Sequence, residues 1–376
     1  MNFKSLILGS AAALLAVSGA RAADAVVVAE PEPMEYVRVC DVYGAGYYYI
    51  PGTETCLKVG GYLRYDIGVG KGGYGGLNDV LDKRKLVVDR ELKTNDTYYK
   101  RARAALQLDA RSETELGTLR GYMHINFDWD SVVNDDDLTT TATDVAIEHA
   151  FIELGGFRVG KTDSMFSTFT GYAGNIIEDD LIAYGPFDTH QISYTYTGTN
   201  GFSAAVAVEE GADNDFGNYT LDSYAPHVVA GVGLTQGWGG VSGVVGYDSV
   251  YEEWAGKARL DVNVNDDFSL FAMVGYGSLS HANEDAGITR SFYKTWGGHW
   301  AAWGGATYKV SEKASFNTQV SWSQNKDVAV VANVAYELVP GLTITPEAAW
   351  NSWHDDVTKE KIGDGFGGYL RFERAF

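Results

Sequence analysis

Residues 101–111 read Arg101-Ala102-Arg103-Ala104-Ala105-Leu106-Gln107-Leu108-Asp109-Ala110-Arg111. The even positions Ala102, Ala104, Leu106, Leu108 and Ala110 are apolar, and the odd ones include Arg101, Arg103, Gln107, Asp109 and Arg111. Successive side chains of a strand point to opposite faces, so this is a strand with one apolar and one charged face. A polar turn, Ser112-Glu113-Thr114-Glu115-Leu116-Gly117, leads into a second such run. There Leu119, Met123, Ile125, Phe127 and Trp129 share one face, against Arg120, Tyr122, His124, Asn126 and Asp128 on the other. Residues 257–264 repeat the pattern, Ala258, Leu260, Val262 and Val264 opposing Lys257, Arg259, Asp261 and Asn263. The charged face is too polar for a dry core, while the apolar face suits hydrocarbon. A soluble β-sandwich gives the same alternation with apolar side chains inward, so periodicity alone leaves both open.

Working outward, six more short turns join pairs of alternating runs. They are Gly155-Gly156, residues 198–201 (GTNG), 237–240 (GWGG), 265–267 (NDD), 311–313 (SEK) and Pro340-Gly341. Glycine reaches positive φ, and Asn, Asp and Ser hydrogen-bond their own backbone, which is what tight turns need. With one strand before the first hairpin (59–67) and one after the last (367–376), the expected count is sixteen. A closed barrel of that size leaves an aqueous lumen. In hydrocarbon an open sheet edge would leave backbone groups unpaired, so first and last strands must meet.

Composition separates the two all-β readings. There are 45 Gly, 24 Tyr, 16 Phe and 9 Trp, more aromatic side chains than a soluble enzyme needs and enough for interfacial girdles. Tyr65, Trp129, Tyr247, Trp322, Tyr336 and Trp350 fall near strand ends. Residues 1–22 carry Lys4, an apolar run over 6–17 and a small-x-small site at Ala20-Arg21-Ala22, the layout of a secretory signal peptide. Residues 23–58 form an N-terminal segment ahead of the barrel, its beginning rich in Ala, Val, Pro and Glu. Cys40 and Cys56, the only cysteines, are expected to form a disulfide in an exported chain. The net charge of −21 argues against nucleic acid as a partner. An all-β, 16-stranded antiparallel transmembrane barrel spanning 23–376 is the expected fold.

The segment Val37-Arg38-Val39-Cys40-Asp41, then Gly44-Ala45-Gly46, then Tyr49-Ile50-Pro51-Gly52-Thr53-Glu54-Thr55-Cys56-Leu57 resembles the N-terminal signature of the alphaproteobacterial general porins of the brucella and rhizobial type. Residues 112–119 resemble that family's first hairpin, and Arg371-Phe372-Glu373-Arg374-Ala375-Phe376 its last strand. The resemblance runs over essentially the whole mature chain. It implies a homotrimer in the outer membrane of a Gram-negative bacterium, set in lipid and lipopolysaccharide. It implies passive diffusion of small hydrophilic solutes and ions, without cofactor or catalysis. It also implies a third long loop folded inward to constrict the pore.

By position that loop is 162–189. Its acids are Asp163, Glu178, Asp179, Asp180 and Asp188, beside apolar residues such as Phe166, Phe169, Ile176 and Ile177. Family members set a basic wall opposite such a loop. Strand parity sends Arg64, Arg101, Arg103, Arg120, Arg259 and Arg371 to the lumen, and closure makes Arg64, Arg101, Arg103 and Arg371 neighbours. Arg64, Arg101, Arg103 and Arg371 facing Asp163, Glu178, Asp179 and Asp180 would set a transverse field across the gap. The ordinary reading of each arginine is a solvated lumen side chain. The acidic loops and lumen predict a weak cation preference.

Other motifs fail. Gly68, Gly70 and Gly73 fit a dinucleotide fingerprint, but a turn follows where a helix must start. The His residues are scattered, and Asp213-Asn214-Asp215 lacks the full calcium-loop spacing. A substrate-selective sugar channel is the competing transport reading, with Trp296, Trp300 and Trp303 as an aromatic slide. Girdle or loop packing is the plainer use of those tryptophans. A soluble lectin-like sandwich and an outer-membrane enzyme are the non-transport alternatives, the latter lacking a nucleophile–base pair.

Overall fold

The computed structural model describes residues 38–214 and 217–376; the expected signal peptide lies outside the described residues. Sixteen long strands form one antiparallel sheet. They are β1 (Cys56–Gly70), β2 (Tyr99–Thr114), β3 (Gly117–Val133), β4 (Thr139–Leu154), β5 (Phe157–Asp163), β6 (Asp188–Thr197), β7 (Phe202–Glu209) and β8 (His227–Gln236). The second half is β9 (Gly239–Asp248), β10 (Glu253–Asn263), β11 (Phe268–Gly277), β12 (Trp300–Ser311), β13 (Ala314–Ser323), β14 (Val328–Val339), β15 (Leu342–His354) and β16 (Lys361–Ala375).

Each strand pairs with its sequence neighbours. The sheet closes because β1 pairs with β2 on one side and with β16 on the other, from Tyr62↔Ala375 to Gly70↔Gly367. Phe376 completes the seam, its N–H donating to the Gly61 carbonyl at 3.0 Å. Among the described residues the barrel has no open edge, which is the condition for a sheet to live in lipid. Among the described residues no helix is long and apolar enough to cross a membrane; the strands cross it.

All seven short turns fall where the sequence places them. The end strands are longer than expected, Cys56–Gly70 rather than 59–67 and Lys361–Ala375 rather than 367–376. Their extra residues include Gly68, Gly70, Gly363 and Gly365, which have no side chain to mark a face. Outward side chains such as Leu63, Phe127, Trp129, Val145, Ile152 and Ile192 are exposed, as a lipid-facing surface requires. Aromatic pairs gird both rims: Trp254–Tyr276 and Trp300–Trp322 at the long-loop end, Phe268–Tyr308 at the short-turn end. Short turns mark the periplasmic side and long loops the exterior.

Two loops fill part of the lumen. The third long loop, 164–187, turns inward, and so does 291–297 from the loop after β11. Their buried side chains, including Phe166, Tyr184, Phe292, Tyr293 and Trp296, pack on the inner faces of β7–β15. The third loop is shorter than 162–189 because Thr162↔Thr189 and Asp163↔Asp188 are ladder pairs. The expected disulfide is present: Cys40 and Cys56 are joined, both buried, with Cα atoms 6.0 Å apart. The intervening chain adds a two-residue ribbon, Tyr48–Tyr49, to the start of β1.

Candidate functional site

The inward loop is held by wall residues that accept or donate hydrogen bonds to its backbone. Ser164 caps a single helical turn, Met165–Thr168, by accepting from the Phe166 N–H. Glu209 at the end of β7 then collects four donors: Ser164 Oγ (2.7 Å), Met165 N–H (2.8 Å), Gln191 Nε2 (2.8 Å) and Tyr293 Oη (3.0 Å). A buried carboxylate so fully satisfied is a strong anchor, since bonds to a charged group are the stronger kind. Across the lumen, Glu347 on β15 does the same for the loop tip. It accepts the N–H groups of Ile177 (2.6 Å) and Glu178 (3.0 Å) and the Asn333 amide (2.8 Å).

Between the anchors the wall donates. Arg259 Nη1 binds the Tyr172 carbonyl at 2.6 Å, Trp303 Nε1 the Ile182 carbonyl at 2.7 Å, and Gln319 Nε2 the Asp179 carbonyl at 2.7 Å. Room for the loops comes from lumen-facing glycines. A Cβ at Gly231 would lie 2.5 Å from the Phe169 ring, one at Gly246 2.6 Å from Tyr293, and one at Gly275 2.7 Å from Trp296. Those contacts leave no space for any side chain there.

The acidic tip faces the opposite side of the lumen. Tyr74, from the loop after β1, donates its N–H to Glu178 (2.6 Å) and its hydroxyl to Asp180 (2.8 Å). Asp179 accepts from the Tyr184 hydroxyl at 2.7 Å. Burial dominates the titration of these acids. It pushes the Glu178 and Asp179 carboxyls up to about 7 each, and Asp180 above the ordinary range, with neighbouring carboxylates adding to the effect on Glu178 and Asp179.

The arginine wall is organised in rows across β16, β1, β2 and β3. One row is Arg371, Asp66, Arg101, Asp130, and the next is Glu373, Arg64, Arg103, Asp128. Charges alternate in the first row, and in the second two adjacent arginines are flanked by carboxylates on both sides. Asp66 is fully buried and binds both Arg101 (2.9 Å) and Arg371 (2.8 Å). Arg64 binds Glu373 at 2.6 Å, and Arg103 binds Asp128 at 2.6 Å. Each guanidinium is therefore ion-paired, while all four remain partly open to the lumen.

Of the expected site residues, Arg64, Arg101 and Arg371 line one cavity together with Asp179 and Asp180, and Tyr99 and Tyr369, one row nearer the long loops, line it too. Glu178 sits just behind that tip, buried under Tyr74. Arg103 stands one row nearer the turns, beside Arg64. Asp163 is not at the tip: it ends β5 and accepts from the Tyr172 hydroxyl at 2.5 Å. Arg259 and Arg120 lie elsewhere, the first on the loop backbone and the second at the short-turn end, bound to Asp109 and Glu153. Reasoning from sequence missed Asp66, Glu209, Glu347 and Glu373. The parity that turned Arg64 inward also turned Asp66 inward, but pairing needed the register.

Comparison with known proteins agrees with this architecture. A family model described as the porin subfamily matches residues 24–370. Porin Omp2b of Brucella suis biovar 1 (strain 1330) is 48% identical over 388 residues, covering 100% of both chains. Porin Omp2b of Brucella abortus (strain 2308) matches to the same extent. Among solved structures, the outer membrane channel DcaP of Acinetobacter baumannii has a TM-score of 0.64 at 15% identity, covering 87% of this chain and 99% of that one. The anion-selective porin from Comamonas acidovorans has a TM-score of 0.52 at 12% identity, covering 86% and 100%. These two likenesses speak for the fold alone. With the closed barrel, the inward loop and full-length relatives in hand, the chain belongs to the porin subfamily: it is a channel of the Gram-negative outer membrane for passive diffusion of small hydrophilic solutes.

Proposed function

We propose that this porin is a general diffusion channel whose constriction runs between a basic wall, Arg64, Arg101, Arg103 and Arg371, and an acidic loop tip, Glu178, Asp179 and Asp180. The observation that carries this is the single cavity lined by Arg64, Arg101, Arg371, Asp179 and Asp180. Opposed charges across a narrow aqueous gap orient polar solutes and disfavour apolar ones, which must strip ordered water. Asp163 is not assigned to the gap.

Selectivity is weak in this arrangement. Asp66, Asp128 and Glu373 offset most of the arginine charge, and the loop carboxylates tilt the remainder toward cations. The sugar-slide alternative finds little support, because Trp296 and Trp303 are buried and Trp300 pairs with Trp322 in the outer girdle. Channels are proposed to work as homotrimers in lipid and lipopolysaccharide, with residues 1–22 removed on export. Neither a cofactor nor a catalytic step is involved. Planar-bilayer recording of the purified native protein tests this. Conductance steps in threes, with sugars passing in order of size, are expected; permeation by one sugar to the exclusion of similar ones would favour the selective channel.

A further inference from the structure

The short-turn mouth of the lumen carries a second charged station that the constriction does not use. The disulfide-closed segment 40–56 lies over β1–β3 there. Tyr43 donates its hydroxyl to Glu113 at 2.7 Å, and the Arg111 guanidinium stands 5.8 and 5.4 Å from the Tyr43 and Tyr47 rings. Beneath these rings is a cavity lined by Lys58, Gln107, Asp109, Arg111, Arg120 and Tyr122, with Tyr43 and Tyr47 closing it.

The charges in this station do not cancel. Arg111 and Arg120 share Asp109 (2.8 and 2.9 Å), and Arg120 and Arg158 share Glu153 (2.8 and 2.5 Å). Lys58 adds a fourth cation. Among the described residues its ammonium makes neither a hydrogen bond nor an ion pair, and it stands 5.9 Å from the centroid of the Tyr47 ring, on the strand position that pairs with Asp109. Four cations against three carboxylates, Asp109, Glu153 and Glu113, leave one net positive charge in a recess walled by barrel, where field lines are focused. Donors are also left over. Lys58 keeps all three, and Arg111 spends only Nε and one terminal nitrogen on Asp109.

We propose that this cavity is an anion-binding station at the periplasmic mouth, taking a small oxyanion between Lys58 Nζ and the free edge of the Arg111 guanidinium. The proposal rests on the channel reading above. It sets a local basic recess at the periplasmic mouth against the acidic tip of the inward loop. Solute anions would be concentrated on the side where the constriction does not repel them.

The test is single-channel recording in a chloride electrolyte, with inorganic phosphate added to one side at a time. Phosphate on the short-turn side is expected to lower the conductance saturably, and phosphate on the loop side to do so only at higher concentration. Lys58→Ala should weaken the apparent affinity about three- to fivefold, as expected for one half-exposed ionic contact. Lys58→Arg should retain it. Equal, unsaturable effects from both sides, or an unchanged titration in Lys58→Ala, would overturn the station while leaving the channel intact. Absence of any conductance would overturn the channel reading itself, and the station with it.

Discussion

Glu347 on β15 accepts the Ile177 backbone N–H at 2.6 Å, and through that bond a strand residue fixes where the tip of the inward loop sits in the lumen. The tip is where Asp179 and Asp180 meet the arginine wall, so a carboxylate outside the gap sets the gap's width. Glu209 holds the loop's beginning in the same way.

Glu347→Ala is expected to widen the channel. It removes three hydrogen bonds to a charged acceptor, each contributing about 1.5–3 kcal/mol. Single-channel conductance should rise, and liposome swelling should extend to larger sugars. Glu347→Gln, which keeps one carbonyl acceptor, should fall between. An unaltered conductance in Glu347→Ala would show that the loop is held by its other contacts.

Ion preference should depend on pH. The Glu178 and Asp179 carboxyls, raised to about 7 by burial, are charged above that value and increasingly neutral below it. Cation preference is therefore expected to be greatest at alkaline pH and to fade with a midpoint near about 7. Because the folded-state values lie above the unfolded ones, ionisation opposes docking. Loop docking should be firmest in acid and weaken as pH rises through the folded values. Reversal potentials between about pH 5.5 and 8.5 check the first effect. A Glu178→Gln, Asp179→Asn double variant should flatten the curve.

Asp66→Ala leaves Arg101 and Arg371 without their shared partner. The barrel should lose about 1–3 kcal/mol, less than for a dry interior because both guanidinium groups still reach lumen water. Selectivity should move toward anions, since the wall keeps its cations and loses a carboxylate. Thermal unfolding followed by gel mobility and the reversal potential measure the two effects separately.

The lumen glycines offer a packing test. Gly246→Val drives a side chain into the Tyr293 ring, where a Cβ already lies at 2.6 Å. Overpacking of this kind costs about 1–3 kcal/mol, and it should dislodge the segment 291–297 that braces the inward loop. Gly121→Ala meets nothing within 4 Å and should be neutral in the same unfolding assay.

The barrel was legible from local chemistry because its signals are local. Turn residues such as Gly155-Gly156 and Pro340-Gly341 mark the hairpins, and alternation at 101–111 and 119–129 marks the faces. Strand ends were less so, since glycines such as Gly68, Gly70, Gly363 and Gly365 continue the ladder without a side chain to mark a face. The inward loop was expected from family resemblance and from apolar residues such as Phe166 and Ile176, both of which are buried. Pairings such as Asp66 with Arg101 and Arg371 were not legible, because they join residues 35 and 305 positions apart through cross-strand register. The second inward segment was missed for a related reason. Its side chains find their place only where Gly246 and Gly275 leave gaps on strands distant in the sequence.

Permeability ratios from reversal potentials, compared between two variants, probe the constriction most directly. Asp179→Asn with Asp180→Asn should move the ratio toward anions, and Arg101→Ala with Arg371→Ala toward cations. Combined, the two changes should depart from additivity, because the groups share one aqueous gap. Ratios that stay at the native value in both variants would mean that solutes pass elsewhere in the lumen.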